Sequence, residues 1–308
     1  MGSVGKVLVP RLGRALVTLW LVVTVVFVVL RFSGDPVGLL LPSDASQEQV
    51  EALRAELGLD ASIPVQYGRF VGRLAHGDLG DSLRFNRPAR DLVLGRFPAT
   101  AELASVAFAV AAVLGLAVGS VTAIVRGSAL DRVAMAAMGL CQAAPSFFLG
   151  LLLILLFSVR LSWFPTSGYG SPSQLVLPAL TLSALTLASI ARITRSSLLD
   201  ILRADYIRTA RAKGIPERLV FRRHALRNAA LPVVTMLGLE LAQLLTGAVI
   251  VETVFAWPGI GRLAIDSVAA RDYPVVQATV LLIAAIYVVI NVLVDLSYLV
   301  LDPRTRNG

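Results

Sequence analysis

Charged residues vanish from this chain over several stretches, each close to the length of a membrane crossing. None lies between Arg14 and Arg31, between Glu102 and Arg126, or between Arg132 and Arg160. A helix spanning about 30 Å of hydrocarbon at about 1.5 Å per residue needs about 20 apolar residues. The run after Arg14 is slightly short, but both flanking arginines can snorkel to the interface. The stretch 161–191 opens with turn residues and predicts a fourth span from about Leu175. A fifth span over 229–255 carries Glu240 and Glu252, and a sixth over 275–301 carries Asp295. The pattern predicts an all-α membrane protein with six transmembrane helices.

Residues 180–191 alternate partly, as a strand would. An isolated strand in lipid leaves its backbone unpaired, and nothing else in the chain supplies a barrel, so a helix is expected. Pro145, Pro178 and Pro232 fall in or at the start of spans, where neighbouring helices and Ser/Thr side chains can satisfy what proline frees. The first apolar run follows Lys6, Arg11 and Arg14, as a secretory signal would. No small-residue cleavage site follows Leu30, where the chain reads Arg31-Phe32-Ser33-Gly34-Asp35-Pro36. An uncleaved first span is expected.

Composition agrees with the pattern. The 308 residues are 56% hydrophobic and 16% charged, against about 25% charged for soluble domains. Mean hydropathy is +0.76. The net charge of +8 is unevenly placed. One side of a six-span topology collects Lys6, Arg11, Arg14, Arg126, Arg132, the cations of 192–227, Arg304 and Arg306. The short loops of the other side hold Arg160, then Arg262 and Arg271 balanced by Asp266 and Asp272. By the positive-inside bias both termini are cytosolic. The long segment 33–98 also carries arginines, but long loops translocate largely regardless of charge. This placement reads as topology, with no nucleic-acid partner. Cys141 is the single cysteine, and no carboxylate or thiol is spaced with His76 or His224 as metal ligands. No metal site and no bound cofactor are expected.

The expected division is residues 1–32 for the N-terminus and first span, 33–98 for an extracytoplasmic helical segment, 99–301 for a five-span core containing a cytosolic loop at 192–228, and 302–308 for a cytosolic tail. In the outer segment Ser46 and Gln49 form a capping-box pattern, followed by Val50, Leu53 and Leu57 before Gly58. Ser62-Ile63-Pro64 starts a second helix with Tyr67, Phe70, Val71 and Leu74 on one face, ended by Gly77. Such helices either meet the outer membrane face or a partner, or pack as a lid on their own spans.

The cytosolic loop carries Arg192, Arg195, Arg203, Arg208, Arg211, Lys213, Arg218, Arg222, Arg223 and Arg227, opposed by Asp200, Asp205 and Glu217. Ser196 or Ser197 can cap a helix with Leu198, Leu199, Ile201, Leu202, Tyr206 and Ile207 on its apolar face. Lys213-Gly214 is a C-terminal signature, a cation at the negative end and then a residue free to take positive φ. Pro216-Glu217 starts another helix. An ordinary positive-inside loop or an anionic-lipid contact needs no glycine turn between two capped helices; a partner-docking hairpin does.

Here the chain resembles a known family. Asp205-Tyr206-Ile207-Arg208-Thr209-Ala210-Arg211-Ala212-Lys213-Gly214, with Arg223-His224-Ala225-Leu226-Arg227-Asn228-Ala229-Ala230-Leu231-Pro232, is similar to the cytosolic loop of ABC-importer permeases, above all the dipeptide/oligopeptide/nickel branch. Gly34-Asp35-Pro36, Pro64-Val65-Gln66-Tyr67, His76-Gly77-Asp78-Leu79-Gly80 with Ser82, Arg96-Phe97-Pro98-Ala99-Thr100, Glu252-Thr253-Val254-Phe255-Ala256-Trp257-Pro258-Gly259, Arg271-Asp272-Tyr273-Pro274 and Asp302-Pro303-Arg304 match in order. The long outer segment resembles the first permease of the branch's pair. The resemblance implies a type I importer permease fold in a bacterial inner membrane. It implies a coupling helix, with Tyr206, Arg208, Thr209, Ala210, Lys213, Gly214, Ile215 and Pro216 meeting an ATPase. Its partners would be a second permease, two cytosolic ATPase subunits or domains carrying ATP and Mg2+, and an extracytoplasmic binding protein. The implied cargo is a dipeptide or oligopeptide, with nickel, glutathione or a haem-like ligand as alternatives. The resemblance also places an outer gate at Glu252, Trp257, Pro258 and Gly259. Where the wider superfamily carries a Glu-Ala-Ala start, this chain has Arg208-Thr209-Ala210.

No Gly-x-x-x-x-Gly-Lys-Ser/Thr loop and no nucleophile–base–acid set occurs, so no catalysis by this chain is expected. A self-powered secondary transporter would show inverted repeats, and none is clear. Ionisable residues within spans are costly and mark function by default. Counting about 1.5 Å per residue from Asn228 puts Glu240 about 18 Å deep, with Gln243 and Gly247 on its face. This predicts a translocation path, with Ser183 and Thr186 on span four as further candidates. The alternative is an interhelical hydrogen bond from Glu240 to Ser183, Thr186 or Ser189. Gly115 and Gly119 form a Gly-x-x-x-Gly pair that predicts close helix packing.

Overall fold

The computed structural model describes residues 2–32, 37, 41, 45–56 and 58–301. The Gly34-Asp35-Pro36 motif, Leu57 and the tail with Asp302, Arg304 and Arg306 lie outside the described residues, as do the surroundings of Gly247 and the Asp295 side chain. Helices make up the described chain, and the one bridge-like pairing among these residues joins Asp81 to Pro88. Two compact units emerge, Met1–Ala99 with Pro258–Val288 and Thr100–Trp257 with Val289–Gly308.

Four helices are long and apolar enough to cross a membrane alone: Gly13–Phe32, Ala89–Ile124, Pro172–Leu202 and Tyr273–Val294. Two bent pairs complete six spans where each pair counts as one. The expected third span is such a pair. Helix α5 (Ala129–Ala143) and helix α6 (Ser146–Leu153, continued by a π-helical stretch Ile154–Arg160) meet at 111°. The cause is local. Pro145 lacks an N–H and pushes Ala144 into extended backbone, with ψ 129. Hydropathy counts a span's length and is blind to this change of direction.

The first unit holds α1 (Gly2–Phe32), α2 (Gln47–Glu56), α3 (Ile63–Ala75), the start of α4 (Ala89–Ile124), α11 (Ile260–Ala269) and most of α12 (Tyr273–Leu301). The capping box forms as expected, with the Ser46 N–H donating to Gln49 Oε1 at 2.9 Å and the Gln49 N–H to Ser46 Oγ at 3.3 Å. Helix α3 ends at Gly77, whose φ is +75. Its apolar face packs on the first and last spans. Phe70 is buried with Val23 and Phe27, and Tyr67, Val71, Leu74 and Leu281 lie against them. Thr24 Oγ1 and the Tyr67 hydroxyl are 2.7 Å apart. Of the two readings of this segment, the packing of α3 on Val23, Phe27 and Leu281 fits the one in which it rests on its own spans.

Helix α4 begins at Ala89, ahead of the expected core boundary, and carries Pro98 inside it.

The second unit centres on α7 (Pro172–Leu202), packed along α10 (Leu226–Val254). Ser171 and Gln174 form a reciprocal capping box, with Pro172 in the first turn. The partly alternating 180–191 stretch is helical, as lipid requires. The Gly-x-x-x-Gly pair works as predicted. A Cβ on Gly119 would stand 2.5 Å from the Ala191 carbonyl oxygen, and one on Gly115 would stand 2.9 Å from Ile190. Glycine is what lets α4 approach the α7 backbone.

One sequence expectation fails in α7. Ser196 and Ser197 cap nothing, because the helix runs through them to Leu202. Leu198 is buried against Ala123, Ala225 and Ala229, and that burial outweighs the local preference of serine for a cap. Arg192 and Arg195 therefore belong to the span helix, and the loop expected over 192–228 starts after Leu202.

Candidate coupling and translocation sites

A short helix, α8 (Asp205–Ala212), stands between the two long helices of the second unit. Ala204 takes extended backbone before it, with ψ 148. Ile207 and Ala210, three apart, point inward and pack with Val220, Ile201 and Ile215. Tyr206, Arg208, Thr209 and Lys213 point out. The C-terminus closes as a Schellman motif. The Ile215 N–H donates to the Ala210 carbonyl at 3.3 Å and the Gly214 N–H to the Arg211 carbonyl at 2.9 Å. Gly214 sits at φ +73, as its position predicted, and a side chain there would meet nothing within 4 Å. Glycine is thus required by backbone conformation alone.

Pro216 caps the next helical turn, α9 (Glu217–Leu219), with Glu217 first in it. No separate second helix of the hairpin follows. A π-helical turn, Val220–Ala225, carries the chain directly into α10. Arg211 clamps the turn with two hydrogen bonds to Glu217, at 3.0 and 2.5 Å, and the Glu217 carboxylate holds the Arg211 guanidinium above its ordinary pKa. Asn228 donates to the Tyr206 hydroxyl at 3.2 Å. Arg208 has an exposed pairing with Asp205 at 3.4 Å, and its side chain is 77% exposed. The site presents a tyrosine hydroxyl, a threonine and cations on a rigidly closed turn, and it contains no constellation for chemistry.

The second unit also holds a pair that sequence reading missed. Arg195 donates to both carboxylate oxygens of Asp131, at 2.8 and 2.9 Å. Asp131 is 4% exposed and also accepts from the Gly127 N–H at 2.9 Å. The fork ties the first turn of α5 to α7. The partners are 64 apart in sequence, so no local pattern announces them.

The expected path residues separate. Ser183, Thr186 and Glu240 are buried in this chain's own second unit, whereas Gln243 is exposed. Among the described residues no hydrogen bond joins Glu240 to Ser183, Thr186 or Ser189. Ser183 donates to Leu180 of its own helix at 3.0 Å, and Ser189 accepts from Gln142 at 3.0 Å. Spacing by three put Glu240 and Gln243 on one side of α10, but packing divides that side.

The expected outer-gate residues also divide. In the second unit Glu252 is fully buried and accepts from Thr100 Oγ1 at 2.6 Å. Trp257 is buried, edge-on to Tyr169 at 4.8 Å. A hydrogen bond to Glu102 raises the Tyr169 pKa. Ala256 takes φ +52, so the chain leaves α10 through a left-handed turn without a glycine. In the first unit Pro258 and Gly259 precede α11 and line a cavity of about 200 Å³ with Arg84, Arg96, Arg262 and Asp272. There Asp272 is buried and accepts from Ser82 Oγ at 2.5 Å and from the Leu83 N–H at 3.1 Å. Two motifs read separately in the sequence are thereby joined.

Among the described residues, helices with a short glycine-closed helix that exposes cations between two long apolar ones agree with the importer-permease fold. The chain matches the family described as "Binding-protein-dependent transport system inner membrane component" over residues 115–307, and that family's N-terminal part over residues 4–104. It belongs to that family. It is similar to the "Glutathione transport system permease protein GsiC" of Pectobacterium atrosepticum, 43% identical over 299 residues, covering 97% of this chain and 98% of that one. The protein of the same name from Escherichia coli K12 is 42% identical over the same coverage. Solved relatives share the fold. The MetNI methionine ABC transporter aligns at TM-score 0.57 and 20% identity, covering 68% of this chain and 96% of that one. An amino acid ABC transporter aligns at TM-score 0.53 and 21% identity, covering 70% and 94%. The protein is thus a multi-pass inner-membrane permease of a binding-protein-dependent ABC importer with the type I fold. As a member of that class it has no ATPase site of its own and works with ATPase and partner permease subunits.

Proposed function

We propose that this permease imports short peptides, with glutathione the foremost among them, and takes its drive from a cytosolic ATPase seated on α8 and the turn to Pro216. The single observation that carries the drive point is the Schellman-closed, outward-facing helix 205–212 with Gly214 at φ +73. A rigid amphipathic turn can transmit displacement, because its inner face, Ile207 and Ala210, is packed against the segments that continue into α7 and α10. The outer face keeps Tyr206, Arg208, Thr209 and Lys213 for the ATPase. ATP and Mg2+ stay on that partner, and this chain holds neither. Both termini and this loop share the cytosolic side, in keeping with the cation distribution.

The cargo reading is supported by identity above 40% with glutathione permeases over nearly the whole chain. Dipeptides and longer oligopeptides remain in the same chemical class, whereas nickel and haem-like ligands have less to support them. The full complex is a second permease in a heterodimer, two ATPase subunits or domains and an extracytoplasmic binding protein. In proteoliposomes holding that complex, glutathione uptake should require internal ATP and the binding protein. A dipeptide taken up while glutathione is refused would overturn the glutathione assignment. The drive point is tested by Gly214→Val, which should abolish ATP-dependent uptake while leaving membrane insertion intact. Normal uptake by that variant would refute the coupling role.

A further inference from the structure

We propose, on the reading that α8 is the drive point, that Asp131 and Arg195 are positioning residues for transport, their fork making α5 follow α7 when the ATPase displaces α8. The way α5 is attached points to this. Asp131 is the one buried residue of that helix. Leu130, Val133 and Leu140 are exposed in this chain, and Ala134, Met138 and Cys141 are only half-buried. A helix usually joins its neighbours by burying an apolar stripe. Helix α5 buries none of its apolar side chains fully, and two polar links set it on α7. The fork lies near its start, and near its end Gln142 Nε2 donates to Ser189 Oγ at 3.0 Å.

The fork does more than cap α5. The Asp131 N–H donates to Ser128 Oγ at 3.1 Å, and the Gly127 N–H donates to Asp131 Oδ2 at 2.9 Å. Those two bonds complete the cap without Arg195. Arg195 adds a pair of bonds from another helix, Nε to Oδ1 and Nη2 to Oδ2. Two parallel bonds between planar groups set an angle as well as a distance. Burial of the carboxylate strengthens them.

Arg195 also sits where displacement arrives. The inner face of α8, Ile207 and Ala210, packs with Ile201 of α7. Arg195 precedes Ile201 on the same helix by about 9 Å along its axis. Helix α4 is held to this part of α7 by burial and close approach, with Ala123 against Leu198 and Gly119 against the Ala191 carbonyl. An element held in that way moves with its neighbour in any case. Helix α5, with Asp131 as its buried anchor, follows only while the fork holds.

Spin labels on Val133→Cys and Leu185→Cys, in a Cys141→Ser background, read the separation of α5 and α7 in the assembled transporter by double electron–electron resonance. The parent should show one narrow distance, the same without nucleotide and with a non-hydrolysable ATP analogue. Arg195→Gln should broaden it and make it differ between the two states. Arg195→Lys keeps the charge but loses the fork; it should behave likewise, and it decides if Arg195→Gln fails to assemble. Glutathione imported per ATP hydrolysed should fall about tenfold in either variant. A pair that only held the fold would change yield and thermal midpoint and neither of these readouts. A distance unchanged in an assembled variant would overturn the proposal, and so would the parent's import ratio in a variant whose distance has broadened. The distance needs no cargo, so it decides alone if the parent refuses glutathione. Normal uptake by Gly214→Val beside a broadened Arg195→Lys distance would fault α8 as the drive point and spare the fork.

Discussion

Two regions of this permease treat their polar groups in opposite ways. In the first unit the loop 78–88 is satisfied internally, as Ser82 and the Leu83 N–H both spend their donors on buried Asp272. At the turn 205–216 of the second unit the backbone is satisfied internally, while the side chains of Tyr206, Arg208, Thr209 and Lys213 face outward. The difference separates a region whose polar groups hold the fold from one whose side chains are left facing outward. Substitutions should therefore cost stability in the first region and coupling in the second.

The largest effect is expected at Asp272. Asp272→Ala leaves the Ser82 hydroxyl and the Leu83 N–H buried without their acceptor, at about 1–3 kcal/mol for each such group. The thermal midpoint of the detergent-solubilised protein should fall by several degrees, with the remaining folded fraction still coupled. Gly119→Val should approach it in size, since even a Cβ meets a backbone oxygen that cannot rotate away. A midpoint equal to the parent's would show that α4 and α7 have room to separate.

Gly214→Ala sharpens the contrast. The space around Gly214 is open, so only the left-handed backbone opposes a side chain, at about 1–2 kcal/mol. ATP-dependent uptake should fall severalfold while the thermal midpoint moves little. The smallest stability effect is expected at Arg208. Its pairing with Asp205 is solvent-screened, so Arg208→Ala should change folding stability by less than about 0.5 kcal/mol. A reduced ATPase stimulation by loaded binding protein would then report a partner contact, and unchanged stimulation would free Arg208 of that role.

Much of this contrast was legible in the sequence wherever the cause is local. Ser46 with Gln49, Gly77 and Gly214 are stop and start signals that depend only on neighbours a few residues away, and each forms as read. The Gly115 and Gly119 spacing carried information about packing because only glycine admits a backbone so close. What escaped is set by distant partners. Asp131 with Arg195 and Ser82 with Asp272 join residues whose separation leaves no periodic trace. Ser196 and Ser197 looked like a helix start, but buried Leu198, one turn before the helix end, keeps α7 going. The Glu240 face was read from helical spacing, which locates a side but says nothing of which neighbours cover it.

The ATPase is proposed to grip this chain at the glycine-closed turn over 205–216. The most direct test is a photo-crosslinker introduced in place of Arg208 in the intact complex, with a second at Arg84 in the loop 78–88 for comparison. Irradiation should yield an adduct with the ATPase from position 208 and none from position 84. An ATPase adduct from 84, or none from 208 in a complex that still transports, would contradict the claim.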